Sequence, residues 1–155
     1  MNTWRAFWRL KPNLQGFALE SAVVLTLTWV GLRSLGFRRW QKLLNGLTPA
    51  ASPISAGISE PLLDRCRAMA RVEQAVARRL PFQFNCLDQS VALWWMLRRR
   101  GVAAEIQIGG RKDAADFKAH AWVEAGGNAL PDGSEVHRHF APFHRPIKSA
   151  GTQSR

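Results

Sequence analysis

The chain has 155 residues and a mass of 17.4 kDa, enough for one hydrophobic core and too little for two well-stabilised ones. Apolar residues make up 46% and charged residues 21%, a globular composition that excludes wholesale disorder. Lys and Arg number 22 against 11 Asp and Glu, so the formal net charge of +11 favours anionic partners. Seven basic residues and one acid lie in residues 1–50, which therefore hold more than half of the excess charge.

Residues 1–47 predict a basic helical N-terminal region. Pro12 marks a break near its start, and Gly36 marks a second one. The apolar run Ser21–Leu32 is shorter than the about 20 residues that a membrane-spanning helix needs. We therefore expect this run to pack on protein or to lie in a membrane interface.

The middle of the chain begins with a stretch rich in Pro, Ser and Ala. Residues 48–59 (TPAASPISAGIS) predict a linker. From Glu60 to Leu80 apolar residues recur at helical spacing, and Pro81 ends the predicted helix. Cys66 falls within the apolar stripe of this helix, so we expect it to be a buried packing residue.

The next helix is predicted from its capping residues. Asn85 is a suitable N-cap, which places Cys86 at the first helical position. The last turn is basic, and Gly101 is the expected C-cap. At a helix N-terminus, free backbone N–H groups and the helix dipole favour a thiolate, which is the nucleophilic form of cysteine.

Two strands follow this helix. Residues 104–108 alternate in polarity and predict a strand that ends at Gly109, and residues 110–117 predict a polar loop. Residues 118–124 (KAHAWVE) alternate again, which puts His120 on the face opposite to the alanines and the valine of this strand. With helices in front of the strands, this order predicts an α+β fold.

A base for the Cys86 thiol and a group that orients the base lie on a predicted hairpin. Gly126 and Gly127 turn the chain, which returns as a short edge strand. A two-residue loop would put His120 and Asp132 on opposite faces, whereas a three-residue loop would place them directly opposite, with Cβ atoms about 4.5–5.5 Å apart. We predict the three-residue loop and, with it, a cysteine, histidine and aspartate constellation.

Four motifs carry a resemblance to a known family: CLDQSVALWWMLRRRGVAAEIQIG from Cys86, AHAWVE from Ala119, LPD from Leu130 and VHRHFAPF from Val136. Residues 60–145 thereby resemble the transglutaminase-like cysteine peptidases that act as leader peptidases in lasso-peptide biosynthesis, in their stand-alone form. The resemblance implies a papain-like, transglutaminase-like catalytic core behind a helical N-terminal extension. We expect a disordered tail over residues 146–155.

The resemblance also implies a function: a cytoplasmic bacterial enzyme that removes the leader from a ribosomally synthesised precursor. The family's catalytic triad falls on Cys86, His120 and Asp132. Cys86 attacks the leader carbonyl, His120 exchanges the proton, Asp132 holds the imidazole, and water hydrolyses the thioester. The Cys86 N–H would meet the oxyanion, and we expect Gln83 to supply a second donor.

No cofactor is expected, and His137, His139 and His144 have poor spacing for a metal site. The partners that the resemblance implies are the lasso precursor, a separate leader-recognition protein and the ATP-dependent lasso cyclase. Residues 1–50 are the expected docking surface for a partner or a membrane. One alternative function is a basic adaptor for anionic membrane or nucleic acid, although no nucleic-acid motif is visible. Another is a transamidase with the same triad, in which an amine intercepts the thioester.

Overall fold

A computed structural model of the chain describes residues 12–48, 58–113, 116–131 and 141–142. Within these residues, helices come first and strands follow, which confirms the predicted α+β class. The helices are α1 (Pro12–Leu35), α2 (Phe37–Gly46), α3 (Glu60–Ala77) and α4 (Cys86–Arg98). The strands are β1 (Ala104–Asp113), β2 (Asp116–Ala125), β3 (Asn128–Leu130) and β4 (Ala141–Pro142). They form one antiparallel sheet in the order β3-β2-β1-β4.

One hydrophobic core joins α1, α3, α4 and one face of the sheet. Its fully buried side chains include Leu25 of α1, Cys66 of α3, Trp94 of α4 and Ile106 of β1. Full burial of a large apolar side chain stabilises the fold by about 1.5–3 kcal/mol. The expectation that Cys66 is a buried packing residue is confirmed. The N-terminal helix α1 therefore shares its core with the helix that begins at Cys86.

Helix α1 is apolar on two opposite sides. Its inner side, which includes Phe17, Val24 and Leu25, is buried in the core. An outer stripe of aliphatic side chains at helical spacing is exposed; its members are Leu19, Val23, Leu27 and Val30. The prediction that the apolar run packs on protein is therefore confirmed for the inner side only.

The helix is also longer than the apolar run in the sequence. Gln15–Leu35, 21 residues, is long and apolar enough to cross a membrane by length and composition. However, 39% of its most apolar window is buried against the rest of the protein, and core helices of soluble proteins pass the same test. This helix is therefore weak evidence for membrane association.

The predicted break at Gly36 is confirmed, because α1 ends at Leu35 and α2 begins at Phe37. Helix α2 then folds back across α1. The two helices touch at Gly31, where a Cβ atom would lie 2.4 Å from the Trp40 ring. Glycine at this position therefore permits the close approach of the two helices. Before this pair, the predicted break near Pro12 lies at the edge of the described residues.

Helix α3 ends three residues before the predicted end at Leu80. Arg78 is its C-cap, and the Arg79 N–H donates to the Val76 carbonyl 2.9 Å away, so a tight turn replaces the last predicted helical turn. Of the predicted linker, most residues (49–57) lie outside the described part of the chain.

Strands β1 and β2 are longer than predicted. They pair from Ala104 with Ala125 to Asp113 with Asp116, so the predicted end at Gly109 is wrong, as is the predicted loop for residues 110–113 and 116–117, the described part of that range. Backbone pairing does not depend on side-chain polarity, so the polar residues here continue the ladder. Gly109 is a paired position on both sides, opposite His120 of β2 and Pro142 of β4.

The turn between β2 and β3 also differs from the prediction. Ala125 pairs with Asn128, which leaves a two-residue loop, so the predicted three-residue loop is wrong. Gly126 and Gly127 have φ values of 57° and 77°. Positive φ at both loop residues is the requirement of a type I′ turn, whose twist matches that of the strands. The cross-strand argument that placed Asp132 opposite His120 is thereby lost.

Strand β3 is an edge strand that ends at Leu130, directly before Pro131. Proline lacks the N–H that a ladder requires, so its position after the last paired residue is the expected one. Asp132 and residues 143–155, which include the predicted tail, lie outside the described residues.

Candidate active site

The N-terminus of α4 is built by two reciprocal hydrogen bonds. The Asp88 N–H donates to Asn85 Oδ1 at 2.8 Å, and the Asn85 N–H donates to Asp88 Oδ2 at 3.0 Å. This capping box makes Asn85 the N-cap and Cys86 the first residue of the helix, which confirms both predictions. The box provides an acceptor for the Asp88 N–H. Helical geometry then leaves two N–H groups of this turn without an intrahelical acceptor, those of Cys86 and Leu87.

A charge from the N-terminal helix supports this cap. Asp88 is 1% exposed, and the Arg33 guanidinium of α1 lies 3.3 Å from its Oδ1 atom. A buried carboxylate is tolerated when charges or donors surround it, and here Arg33 and the Asn85 N–H provide them. The start of the cysteine-bearing helix is thus held by contacts within α4 and by α1.

Cys86 and His120 line the same cavity, which has a volume of about 240 Å³ and is bounded by α3, α4, β2 and β3. Strand β3 pairs only with Val123–Ala125, so among the described residues no strand covers the outer edge of β2 at His120. Helix α4 packs against β2. Glu73, Gln74, Gln89 and Ser90 are further polar residues that line the cavity. The structure thus brings together the predicted nucleophile and the predicted base.

His120 is held by its neighbours on one face of β2. Its ring stacks on that of Trp122, with centroids 6.2 Å apart and planes 16° apart. Trp122 Nε1 in turn donates to Glu124 Oε1 at 2.8 Å, so these three side chains share a face as predicted. Partial burial lowers the pKa of His120, because a desolvated imidazole resists protonation. A neutral imidazole at neutral pH suits a general base.

Of the other two predicted site residues, Asp132 lies outside the described residues and Gln83 lies away from the cavity lining. Gln83 is exposed in the segment before α4 and is not among the residues that line the cavity. Its role as an oxyanion donor stays a prediction, as does the role of Asp132. His137, His139 and His144 also lie outside the described part of the chain. Within that part, no group of three or more His, Cys, Asp or Glu side chains is placed to hold a metal ion.

Sequence reasoning missed Glu73. This α3 residue is buried in the cavity wall, and burial raises its pKa to about 8 against the opposing effect of the Arg78 charge. The signal was present in the sequence, since Glu73 follows Cys66 and Ala70 on the apolar stripe of a helix. An acid on such a stripe is either paired in the core or exposed to an internal cavity.

Comparison with known families agrees with this site. The model of the transglutaminase-like superfamily matches residues 30–145, and the chain belongs to that superfamily. The match covers α2 to β4 and includes Cys86 and His120. Membership suggests activity of the cysteine peptidase or transamidase type. Neither the comparison with curated proteins nor that with solved structures gives a match.

Proposed function

We propose that the protein is a cysteine peptidase that removes the leader from a ribosomally synthesised lasso-peptide precursor. The observation that carries the proposal is that Cys86, at the first position of α4, lines one cavity with His120 of β2. Superfamily membership supports the thiol chemistry. The leader as substrate rests on the resemblance of the sequence motifs to the leader peptidases of lasso-peptide biosynthesis.

The proposed reaction has two halves. His120 takes the thiol proton of Cys86, and the sulfur attacks the carbonyl carbon of the leader's last residue. The tetrahedral intermediate collapses when His120 protonates the leaving amine, which becomes the N-terminus of the core peptide. Water then attacks the thioester with His120 as base, releasing the leader as a carboxylic acid and restoring the thiol of Cys86.

Two further roles complete the proposed mechanism. Asp132 fixes the tautomer of His120 and stabilises the imidazolium that forms. The LPD motif supports this role, since the cross-strand register no longer does. The negative oxygen of the intermediate is met by the Cys86 N–H, one of the free N–H groups of the first helical turn. Gln83 is the proposed second donor.

The test is reconstituted cleavage, followed by mass spectrometry of both fragments. The purified chain is mixed with precursor peptide, with and without the separate leader-recognition protein. We expect a leader fragment with a free carboxylate, and at least about a thousandfold lower rate for Cys86→Ala. Cys66→Ala is the matched control, because Cys66 is the other free cysteine and is fully buried away from the cavity. Cleavage by Cys86→Ala at the normal rate would refute the proposal.

The proposed setting follows from the same resemblance. We place the enzyme in the bacterial cytoplasm, where a separate protein presents the leader and an ATP-dependent cyclase uses the freed N-terminus. Both cysteines are free thiols in the structure, which suits a reducing compartment. A pull-down with the recognition protein tests the first of these partners.

A transamidase is the second candidate, because the superfamily supports both activities and the thioester is common to both. In transamidation an amine replaces water in the second half, so the leader fragment ends in an amide instead of a carboxylate. The masses of the two products differ, and the cleavage assay repeated with added amine decides between them.

We also propose that the N-terminal helices contact an anionic membrane surface. The outer stripe on α1 exposes aliphatic side chains, which are suited to insertion between lipids. Arg38, Arg39 and Lys42 are exposed on the adjacent helix α2, and the sequence has no acid from Ser21 to Ser59. A pair of adjacent helices that exposes both aliphatic side chains and cations favours anionic lipid over nucleic acid, whose bases would stack on aromatic side chains.

A further inference from the structure

The proposed cleavage leaves one buried group in the active-site cavity without a role. Glu73 of α3 is 1% exposed and lines the cavity with Cys86 and His120. Its Oε1 atom is buried and has no hydrogen-bond partner among the described residues. Buried polar groups are nearly always hydrogen-bonded, and an apolar side chain would fill this space without the desolvation cost. A residue of the cavity wall whose carboxyl group lacks a partner is therefore a candidate to bind a ligand that enters the cavity.

The charge state of Glu73 limits which ligand it can take. Burial raises its pKa to about 8, and the positive charge of Arg78 only partly opposes this effect. Among the described residues, the other titratable groups that line the cavity are Cys86 on α4 and His120 on β2. The neutral carboxyl group therefore predominates near pH 7. In that form it has an O–H donor and a carbonyl acceptor, like a peptide group and unlike an ionised carboxylate.

A peptide supplies the matching partner. A basic side chain would require the ionised carboxylate that burial disfavours, whereas a peptide carbonyl accepts from the neutral acid. Gln89 also lines the cavity, but its side-chain amide already donates a hydrogen bond to the Phe84 carbonyl at 3.3 Å. We propose that the Glu73 carboxyl group binds the substrate by donating a hydrogen bond to a peptide carbonyl of the leader. This inference rests on the proposed function, since it takes a peptide as the occupant of the cavity.

The first test is the pH dependence of kcat/KM for wild type, Glu73→Gln and Glu73→Leu. Glutamine keeps a donor of the same length but does not titrate; leucine has similar bulk and no donor. We expect wild-type kcat/KM to fall as pH rises through about 8, because Glu73 then loses its donor proton. Glu73→Gln should stay within about threefold of wild type at pH 7 and lack this fall, whereas Glu73→Leu should lose about 10- to 100-fold.

Glu60→Gln is the matched control. Glu60 lies on the same helix but is exposed and bonded to Arg67, so its removal should leave the pH profile unchanged. Wild-type kcat/KM in Glu73→Leu, or an unchanged alkaline fall in Glu73→Gln, would overturn the inference. If Glu73→Leu does not fold, the comparison of wild type with Glu73→Gln still decides it.

A second test does not depend on cleavage. Labelled precursor peptide is bound to Cys86→Ala protein, alone and combined with Glu73→Leu or Glu73→Gln, and affinity is read by fluorescence polarisation at pH 7. We expect Glu73→Leu to weaken binding about tenfold or more and Glu73→Gln to weaken it little. Equal affinity in all three proteins would overturn the inference while cleavage by wild type still stands. Weakened binding without cleavage by wild type would instead refute the peptidase and keep the role of Glu73.

Discussion

Arg33 of α1 lies 3.3 Å from the buried carboxylate of Asp88, the residue that closes the capping box in front of Cys86. The Arg33 side chain is 44% exposed whereas that of Asp88 is 1% exposed, so the pair joins the surface of one helix to the interior of another. The N-terminal helix thus contributes to the placement of the candidate nucleophile. The superfamily match begins at residue 30 and so includes Arg33.

Removing the Asp88 carboxylate should destabilise the protein and disturb the site. Asp88→Ala leaves the Asn85 N–H without its acceptor and Arg33 without its partner, so we expect the free energy of unfolding to fall by about 2–3 kcal/mol. Arg33→Ala should cost about 1–2 kcal/mol, since the guanidinium is partly solvated and the cap remains, but the buried carboxylate loses its opposite charge. Urea unfolding measures both.

Asp64→Ala is the control for loss of an ion pair alone, because Asp64 is exposed and pairs with Arg67 at 3.0 Å on the surface of α3. Its free energy of unfolding should change by less than about 0.5 kcal/mol. Equal effects of Asp88→Ala and Asp64→Ala would show that the capping box does not stabilise the start of α4.

The type I′ turn predicts different costs at its two glycines. A residue with a Cβ atom is strained at both, because both have positive φ. At Gly127 a new Cβ meets nothing within 4 Å, so Gly127→Ala should cost about 1 kcal/mol. At Gly126 a Cβ would lie 2.3 Å from Ile58 Cγ2, so Gly126→Ala should cost about 1–2 kcal/mol more.

Thermal and urea unfolding of the two alanine variants compare these costs directly. Gly126→Ala combined with Ile58→Ala is the matched test of the contact, since it removes the nearest clashing atom, Ile58 Cγ2, leaves only the Cβ of residue 58 at 2.9 Å and keeps the strain. The double variant should lose less free energy of unfolding than the sum of the losses in the two single variants. Equal destabilisation by Gly126→Ala and Gly127→Ala would contradict the close approach of Ile58.

Local signals in the sequence predicted the helices and the face of His120. Asn85 predicted the start of α4 because a side chain that accepts from the N3 backbone acts within one turn. Gly36 predicted the end of α1, and the alternation of KAHAWVE placed His120 with Trp122. Each of these features depends on residues a few positions apart, which is why the sequence alone sufficed.

Features that depend on pairing across the fold were not predictable in the same way. The register of β3 changes with a single residue of loop length, and either loop contains Gly126 and Gly127. Polarity suggested a loop over residues 110–117, but the backbone ladder continues regardless of polar side chains. Glu73 is on an apolar stripe, and only the packing of α3 against α4 and β3 shows that it lines a cavity with Cys86.

The proposed membrane contact predicts binding to anionic vesicles. We expect the protein to sediment with vesicles that contain phosphatidylglycerol but much less with neutral phosphatidylcholine, and added salt should weaken binding. Val23→Ser with Leu27→Ser removes two exposed members of the outer stripe and should lower the partition constant by at least about tenfold. Arg38→Gln should lower it about fivefold.

Leu62→Ser is the control for that experiment, since Leu62 is exposed on α3 and is not part of the outer stripe. Its partition constant should match that of wild type. Full binding of the Val23→Ser, Leu27→Ser protein, or equal binding to neutral vesicles, would exclude the outer stripe as a membrane contact. Near-ultraviolet circular dichroism verifies that the folded state is retained in each variant.

The raised pKa of Glu73 predicts how stability changes with pH. The unfolded chain ionises Glu73 near its ordinary pKa of 4.5, whereas the folded protein holds the proton until about pH 8. Between these values the folded state binds more protons, so the free energy of unfolding falls as pH rises. The loss is complete above pH 8 and amounts to at most about 5 kcal/mol, since each pKa unit corresponds to 1.36 kcal/mol.

Glu73→Gln removes this dependence, because glutamine does not titrate. We therefore compare the free energy of unfolding of Glu73→Gln with that of wild type. The variant's advantage should grow steadily between pH 5 and 8 and reach up to about 3 kcal/mol at pH 7. Urea unfolding at each pH gives this difference, in which the other titrating groups cancel. Glu60→Gln should run parallel to wild type, since Glu60 is exposed. A Glu73→Gln curve parallel to wild type would mean that Glu73 is already ionised in the folded protein, which would also remove its O–H donor from the cavity.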